Sequence, residues 1–203
     1  MHKTDKNTLI LASSSPYRKA LLSKIVGDFT CASPHIDESR HKDEALQTLA
    51  SRLATEKAFA LSHKFSNHLI IGSDQVACVF QDGEEVQLTK PLSRDNCLSQ
   101  LKFCRNKTVQ FYTGLCLLNT ASMQFQVSVE RYETKFRNLT EQQLNNYIDK
   151  EPALDCAGGF KMEGLGISLF EHIRGDDPNS LIGLPLIKLI DMLENEGVSI
   201  LGE

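Results

Sequence analysis

The chain has 203 residues, enough for one large domain with a substantial apolar core. Hydrophobic residues make up 41% and charged residues 24%, as in ordinary globular proteins, and the formal net charge of −4 argues against a nucleic-acid or membrane-surface partner. No apolar run approaches the roughly 18 residues of a membrane span, and residues 2–7 lack the apolar core of a signal peptide. We therefore expect a cytoplasmic protein in which any anion site is local.

In chain order, the first predicted strand covers residues 8–12. Ser15 is suited to cap the helix that follows, with Pro16 at its first position, and this helix is predicted to run to about Val26. A second strand is predicted over residues 29–32. The hydroxyl-rich loop between strand and helix, with Arg18 one turn further on, could form an anion cradle, although a capped helix with an exposed arginine explains the same residues.

Residues 42–65 form the most periodic segment and predict a long amphipathic helix. Lys57 falls in the middle of its apolar face. Because an unpaired ammonium group is costly to bury, this lysine must either extend its amino group to solvent or face inward and meet an anion. Just before this helix, Asp37 and Glu38 form an acidic loop that is either a solvated turn or a source of metal ligands.

The next apolar segment, residues 68–80, predicts a strand with a break near Ser73, resuming at Val76. Asp74 interrupts it. The aspartate either makes local backbone hydrogen bonds or is presented at a strand end as a metal ligand or general base. A turn is expected at Asp82-Gly83, and the motif around Lys90 places another cation shortly before a helix cap.

The remaining elements predict a mixed α/β sheet with helices packed against it, and such sheets bind ligands in a groove at the strand ends. The remaining elements, in chain order, are a helix capped by Ser93, an antiparallel pair of strands over residues 108–118 and 124–136, a helix opened by the Thr140/Gln143 capping box, a glycine-rich loop over residues 156–166, a strand over 166–175, a helix over 185–196 and a last short strand. The six cysteines form no CxxC motif, so we expect buried reduced thiols and no zinc site.

Seven motifs together resemble the Maf family of nucleoside triphosphate pyrophosphatases. In order along almost the whole chain they are LILASSSPYRKALL, IDES, EKA, IIGSDQV, TKPLS, FYTGL and GLPL. The resemblance implies a single domain over residues 1–203, possibly divided into two lobes around one cleft, with a twisted mixed sheet, flanking helices and a central cleft, as in inosine triphosphatases. It also implies hydrolysis of a nucleotide substrate and a divalent cation, Mg²⁺ or Mn²⁺.

The resemblance also assigns roles to individual residues. Asp74 corresponds to the proton-accepting aspartate, and Glu38 joins it as a metal ligand. The substrate's phosphates are assigned to Ser13, Arg18, Lys57 and Lys90.

Three further positions resemble the YceF-type subgroup, which hydrolyses 7-methyl-GTP to 7-methyl-GMP and pyrophosphate. They are Tyr17, Gln75 and Glu163. An aromatic face at Tyr17 would favour the positively charged ring of 7-methylguanine, and Glu163 could accept hydrogen bonds from the guanine edge. Two alternatives stay open: a dTTP/UTP pyrophosphatase of the same family, and a nucleotide-binding regulator of septum formation without turnover. The sequence also leaves open whether the protein forms a homodimer.

Overall fold

In a computed structural model that describes residues 8–202, helices alternate with the strands of one mixed sheet, as the sequence predicts. The seven strands are β1 (Thr8–Leu11), β2 (Phe29–Cys31), β3 (His68–Gln81), β4 (Glu84–Leu88), β5 (Thr108–Asn119), β6 (Gln124–Phe136) and β7 (Phe170–Arg174). The six α-helices described are α1 (Pro16–Leu22), α2 (Leu46–Phe59), α3 (Arg94–Cys104), α4 (Glu141–Lys150), α5 (Pro178–Ile182) and α6 (Leu186–Asn195). None of these helices is long and apolar enough to cross a membrane.

The strand order is β2-β1-β3-β5-β6-β7, with β4 also paired to β3. β1 pairs in parallel with both β2 and β3, whereas β3–β4 and β6–β7 are antiparallel. The described residues divide into two compact units, the first containing 8–75, 113–130 and 183–202, and the second containing 76–112 and 131–182. Strands β3, β5 and β6 each contribute residues to both units.

In the first unit, helix α2 packs unusually close to strand β3. A Cβ atom on Gly72 would stand 2.1 Å from the carbonyl oxygen of Ala54, so only glycine permits this approach. Side chains two apart on a strand share a face, which puts Asp74 on the same face as Gly72. Residues three apart on a helix are neighbours, which puts Lys57 beside Ala54. The close contact therefore brings Lys57 towards Asp74.

The second unit has its own apolar core, in which phenylalanine rings pack edge to face. Phe136 contacts Phe160 and Phe170 at ring-centroid distances of 5.4 and 5.0 Å. Helix α4 begins with the predicted capping box of Thr140 and Gln143, and both reciprocal hydrogen bonds are present. This core fixes α4, whose C-terminal end supports the glycine-rich loop described below.

Two predicted boundaries in the first unit are wrong. Helix α1 ends at Leu22 rather than near Val26, because the amides of Lys24 and Ile25 bond to carbonyls three residues back and tighten the chain into a turn. Strand β3 does not break near Ser73. Its hydrogen bonding continues there because the buried Ser73 hydroxyl is satisfied by carbonyl groups, so it needs no exposed turn.

The predicted ends of two other strands also need correction. Only Phe170–Arg174 of the segment 166–175 is a strand, since Leu165–Leu169 forms a 3₁₀ helix in which the Gly166 amide donates to the carboxylate of Glu151, the residue after α4. No strand is described in residues 196–202. There the amides of Gly197 and Val198 bond back to Glu194 and Leu193, the pattern of a Schellman cap, and so turn the chain away from an extended path. Strand β4 and helix α5 were not predicted.

Candidate active site

Lys57 lies between two carboxylates and is the centre of the candidate site. Its Nζ is 2.6 Å from Asp74 Oδ1 and 2.7 Å from Glu38 Oε1, and we call these three residues the Lys57 cluster. Lys57 and Asp74 are buried, with 5% and 7% of their surfaces exposed. The sequence left open whether Lys57 extends its amino group to solvent or faces inward to meet an anion, and the structure shows that it faces inward. An ammonium group has three hydrogens, and the two carboxylates account for two of them.

Glu38 reaches the cluster from an irregular loop that Arg52 of α2 holds in place. The Arg52 guanidinium forms a two-pronged ion pair with Glu44, at 2.7 and 2.9 Å, and also donates to the carbonyl oxygen of Ser39 at 2.9 Å. Asp37, by contrast, accepts a hydrogen bond from the Ser39 amide and is exposed, so it stabilises the turn. Of the two acidic residues in this loop, it is Glu38 that contacts Lys57.

The Arg52–Glu44 pair predicts an acid-dependent loss of stability. Its hydrogen bonds lower the pKa of Glu44 from 4.5 to about 2. A lowered folded-state pKa means that the ionised carboxylate stabilises the protein fully above about pH 4.5 and loses this effect as pH falls towards 2. We expect Glu44→Gln to reduce the free energy of unfolding at pH 7, and the difference from wild type to shrink across that range. Urea unfolding at a series of pH values measures it.

Glu194→Gln is the matched control, because Glu194 is exposed on α6 and its replacement removes the same charge. A difference between wild type and Glu44→Gln that stays constant from pH 7 to pH 2 would contradict the ionic contribution of Glu44.

Ser13 and Arg18 contact each other at the start of α1. Ser15 caps this helix as predicted, accepting a hydrogen bond from the Arg18 amide. The buried Ser13 hydroxyl oxygen accepts from the Ser15 amide at 3.1 Å and from Arg18 Nη1 at 3.4 Å. A hydroxyl that accepts two hydrogen bonds still has a hydrogen to donate, as a phosphate oxygen requires.

Burial lowers the pKa of Arg18, while the charges of Asp74 and Glu38 oppose that shift. These two carboxylates thus act electrostatically on Arg18 as well as on Lys57. An arginine in a protein stays protonated, so Arg18 provides a permanent, partly desolvated positive charge beside the Lys57 cluster.

Ser73 and Gly183 form a support for Arg18 that the sequence did not reveal. Arg18 Nε donates to the Gly183 carbonyl at 2.9 Å, and the Ser73 hydroxyl lies 2.9 Å from the same oxygen and 2.8 Å from the carbonyl of Gly114. Ser73 is fully buried and immediately precedes Asp74. The available signal in the sequence is a hydroxyl inside an apolar strand beside an acidic residue, a pattern that predicts a break as long as no partner for the hydroxyl is known.

Of the three residues assigned to base specificity, two lie in the first unit. The Gln75 side chain donates from Nε2 to the Thr113 hydroxyl at 3.1 Å, and Thr113 is fully buried. This contact fixes the orientation of the amide, which the sequence could not show. Tyr17 is half-buried on α1, directly before Arg18. Lys90 and Glu163 belong to the second unit, where both are exposed, and their roles stay predictions.

The chemistry of the carboxylates in this site indicates whether they suit a divalent cation. Magnesium is commonly bound by one or two carboxylates, with waters and substrate phosphates completing its oxygen ligands. Asp74 and Glu38 provide two carboxylates that share one ammonium neighbour, and the Glu38 side chain is 58% exposed and so has room to adjust. No group of three or more His, Cys, Asp or Glu residues suited to a metal occurs in residues 8–202. The residues fit a cation held largely by its substrate.

These features define an α/β protein with a partly buried cluster of cations and carboxylates suited to a phosphorylated ligand. The chain belongs to the Maf family, because the family model described as Maf-like protein matches residues 8–196.

Three curated relatives carry the name 7-methyl-GTP pyrophosphatase. The protein from Alcanivorax borkumensis is 52% identical over 193 residues, covering 95% of this chain and 96% of the relative. Those from Nitrosococcus oceani and Colwellia psychrerythraea are 47% and 46% identical, covering 96% and 97% of this chain and 96% of each relative. Among solved structures, the Ham1 protein of Staphylococcus aureus aligns with a TM-score of 0.49 and 14% identity over 93% of this chain and 99% of its own.

Proposed function

We propose that this protein hydrolyses 7-methyl-GTP to 7-methyl-GMP and pyrophosphate, and so removes a modified nucleotide from the cellular pool. The substrate follows from the name shared by three relatives that match almost the whole chain. The observation that supports the chemistry is the position of Lys57, which is buried between Asp74 and Glu38. The charges of these two carboxylates also act on Arg18. Such a group can bind phosphate and activate water in the same place.

Asp74 acts as the general base in this proposal. Its Oδ1 accepts the hydrogen bond from Lys57, and a carboxylate has a second oxygen that can accept a proton from water. Lys57 holds the carboxylate in one orientation, because both groups are buried and only 2.6 Å apart. The oriented water attacks the α-phosphorus, and pyrophosphate leaves.

The cations of the site bind the triphosphate and stabilise the charge that develops in the transition state. Arg18 presents a planar guanidinium, which pairs well with phosphate oxygens, and the Ser13 hydroxyl donates beside it. Lys57 provides its remaining hydrogen, and Lys90 of the second unit is proposed as a further phosphate contact. Removing one preorganised donor from such a site typically slows the chemical step by about 10²–10³-fold.

We also propose a requirement for Mg²⁺ or Mn²⁺, held by Glu38 and Asp74. Lys57, Arg18 and these two carboxylates sum to no net charge, so the cluster by itself does not neutralise a triphosphate. A divalent cation supplies the missing positive charge and polarises phosphate oxygens when it is bound. Glu38 and Asp74 would hold the cation only weakly by themselves, because both carboxylates are already paired with Lys57, so substrate phosphates would complete its ligands.

Base recognition is assigned to Tyr17, Gln75 and Glu163. Methylation at N7 gives guanine a positive charge, which an aromatic face at Tyr17 stabilises and a carboxylate at Glu163 offsets. The amide of Gln75, oriented by Thr113, contributes a directed polar contact.

Tyr17→Arg should reduce the preference for the methylated base. Placing a guanidinium where the tyrosine ring stands replaces attraction to the cationic ring by repulsion. We expect the ratio of kcat/KM for 7-methyl-GTP to that for GTP to fall by about 2- to 30-fold, which corresponds to about 0.5–2 kcal/mol of lost cation–π attraction. Tyr17→Phe keeps the aromatic face and is the control. An unchanged ratio in Tyr17→Arg would exclude stacking on Tyr17 as the source of preference.

The proposed function is tested by identifying products from 7-methyl-GTP, GTP, dTTP and UTP, with and without magnesium. We expect pyrophosphate and the corresponding monophosphate, fastest from 7-methyl-GTP. Faster hydrolysis of dTTP or UTP would identify the alternative activity of the family. Tight binding of a nucleotide with no cleavage under any divalent cation would support the regulator instead.

A cytoplasmic location completes the proposal. All six cysteines are free thiols and four of them are buried. Burial raises the pKa of Cys97 to about 11 and that of Cys116 to about 12, so these thiols stay protonated and unreactive at neutral pH. Unpaired cysteines are typical of a reducing compartment, which is also where nucleotide pools are used.

A further inference from the structure

The Glu163 side chain stands on a short turn that is fastened to helix α4 at both ends. At one end the amide of Lys161 donates to the Tyr147 hydroxyl at 3.3 Å. At the other, the amide of Gly166 donates to Glu151 Oε2 at 3.1 Å. Tyr147 is buried, and Glu151 immediately follows α4. The exposed Glu163 thus lies between two fixed points on the same helix end.

The contact between Glu151 and the turn is specific rather than incidental. A Cβ atom on Gly164 would stand 2.0 Å from Glu151 Oε1, so the carboxylate lies directly against the backbone of the residue after Glu163. The turn also closes on itself, since the Gly164 amide donates to the Lys161 carbonyl at 3.3 Å. A half-buried carboxylate that accepts a backbone amide makes a charge-assisted hydrogen bond, which is stronger than a neutral one.

We infer that Glu151 is a positioning residue for substrate selection: its carboxylate holds the Lys161–Gly166 turn in the one conformation that presents Glu163 to the base. The inference rests on the proposed function, because it assumes that Glu163 reads the guanine edge. Glu151 does not itself touch the nucleotide in this scheme. Its effect passes through the turn, and only through Glu163.

The test compares the selectivity ratio, kcat/KM for 7-methyl-GTP over kcat/KM for GTP, in wild type, Glu151→Ala, Glu163→Gln and the double variant. We expect Glu151→Ala to lower the ratio at least about fivefold, as expected for loss of a charged hydrogen bond. In the Glu163→Gln background the same change should leave the ratio unaltered, because the group it positions is already neutral. Glu151→Gln retains an acceptor oxygen and should lower the ratio less than Glu151→Ala.

Glu141→Gln is the matched control, since it removes an exposed carboxylate from the same helix and should leave the ratio at the wild-type value. Hydrogen exchange provides a readout independent of activity: Glu151→Ala should accelerate exchange in the peptide over residues 161–169, and the control should not.

The inference is overturned if Glu151→Ala retains the wild-type ratio, if it lowers the ratio equally with and without Glu163, or if exchange in the 161–169 peptide does not change. Failure of the proposed function looks different, because then wild type itself shows no preference for 7-methyl-GTP, and the inference falls with it.

Discussion

Asp74→Asn should lower kcat by about 10²–10⁴-fold, the range that a positioned general base contributes. Asparagine has nearly the same shape and keeps an oxygen that can accept from Lys57, but it cannot take a proton from water. The measurement is pyrophosphate release from 7-methyl-GTP at saturating nucleotide and magnesium. KM should change less than kcat, because Arg18, Ser13 and Lys57 still bind phosphate.

Asp28→Asn is a suitable control, since Asp28 is exposed, lies in the same unit and loses the same charge. Full turnover in Asp74→Asn would remove Asp74 from the catalytic role. Glu38 would then be the remaining carboxylate of the Lys57 cluster and the next candidate for the base.

Lys57→Met should affect both stability and activity. Removing one partner of a buried ion pair leaves the other charge without compensation, which commonly costs about 3–5 kcal/mol. Glu38 is largely exposed and can turn to solvent, so the uncompensated charge is mainly that of the buried Asp74. We therefore expect the free energy of unfolding to drop by about 2–3 kcal/mol. Activity should fall at least about 10²-fold even where the variant is fully folded. Urea unfolding and turnover at low temperature measure the two effects separately.

A double-variant cycle that combines Lys57→Met with Asp74→Asn isolates the interaction energy between Lys57 and Asp74. Once the carboxylate is neutral, Lys57→Met should cost less, with a coupling energy of at least about 1 kcal/mol. Lys24→Met, at an exposed position on the same unit, should be neutral in both backgrounds. An equal cost of Lys57→Met with and without Asp74 would show that the lysine contributes packing rather than charge.

The sequence predicted the parts of the site that interrupt an otherwise apolar pattern. Lys57 stood out because it falls within the buried face of a helix, and Asp74 because it falls within an apolar strand. Burying either charge alone is unfavourable, so each implied a partner. The cap residues Ser15, Ser93 and Thr140 were equally readable, since helix starts depend on local chemistry.

Other features depend on contacts distant in sequence and could not be read locally. Ser73 resembled a strand break because its partner at Gly183 lies 110 residues further on. Arg52 carries no distinguishing signal in the sequence, because its contacts with Glu44 and with the Ser39 carbonyl form only when the preceding loop folds back on α2. The turn over residues 165–169 resembled a strand start because the carboxylate that shapes it comes from Glu151.

Helix α2 carries both Arg52, which secures the loop of Glu38, and Lys57, which secures Asp74. Both carboxylates are therefore held by residues of one helix, and the distance between them depends on how α2 packs against Gly72. A small displacement of α2 would therefore move Lys57 and the loop of Glu38 together, relative to Asp74 and to Arg18 on α1. We therefore expect substitutions in the contact between α2 and β3 to reduce turnover at a stage where the protein is still folded.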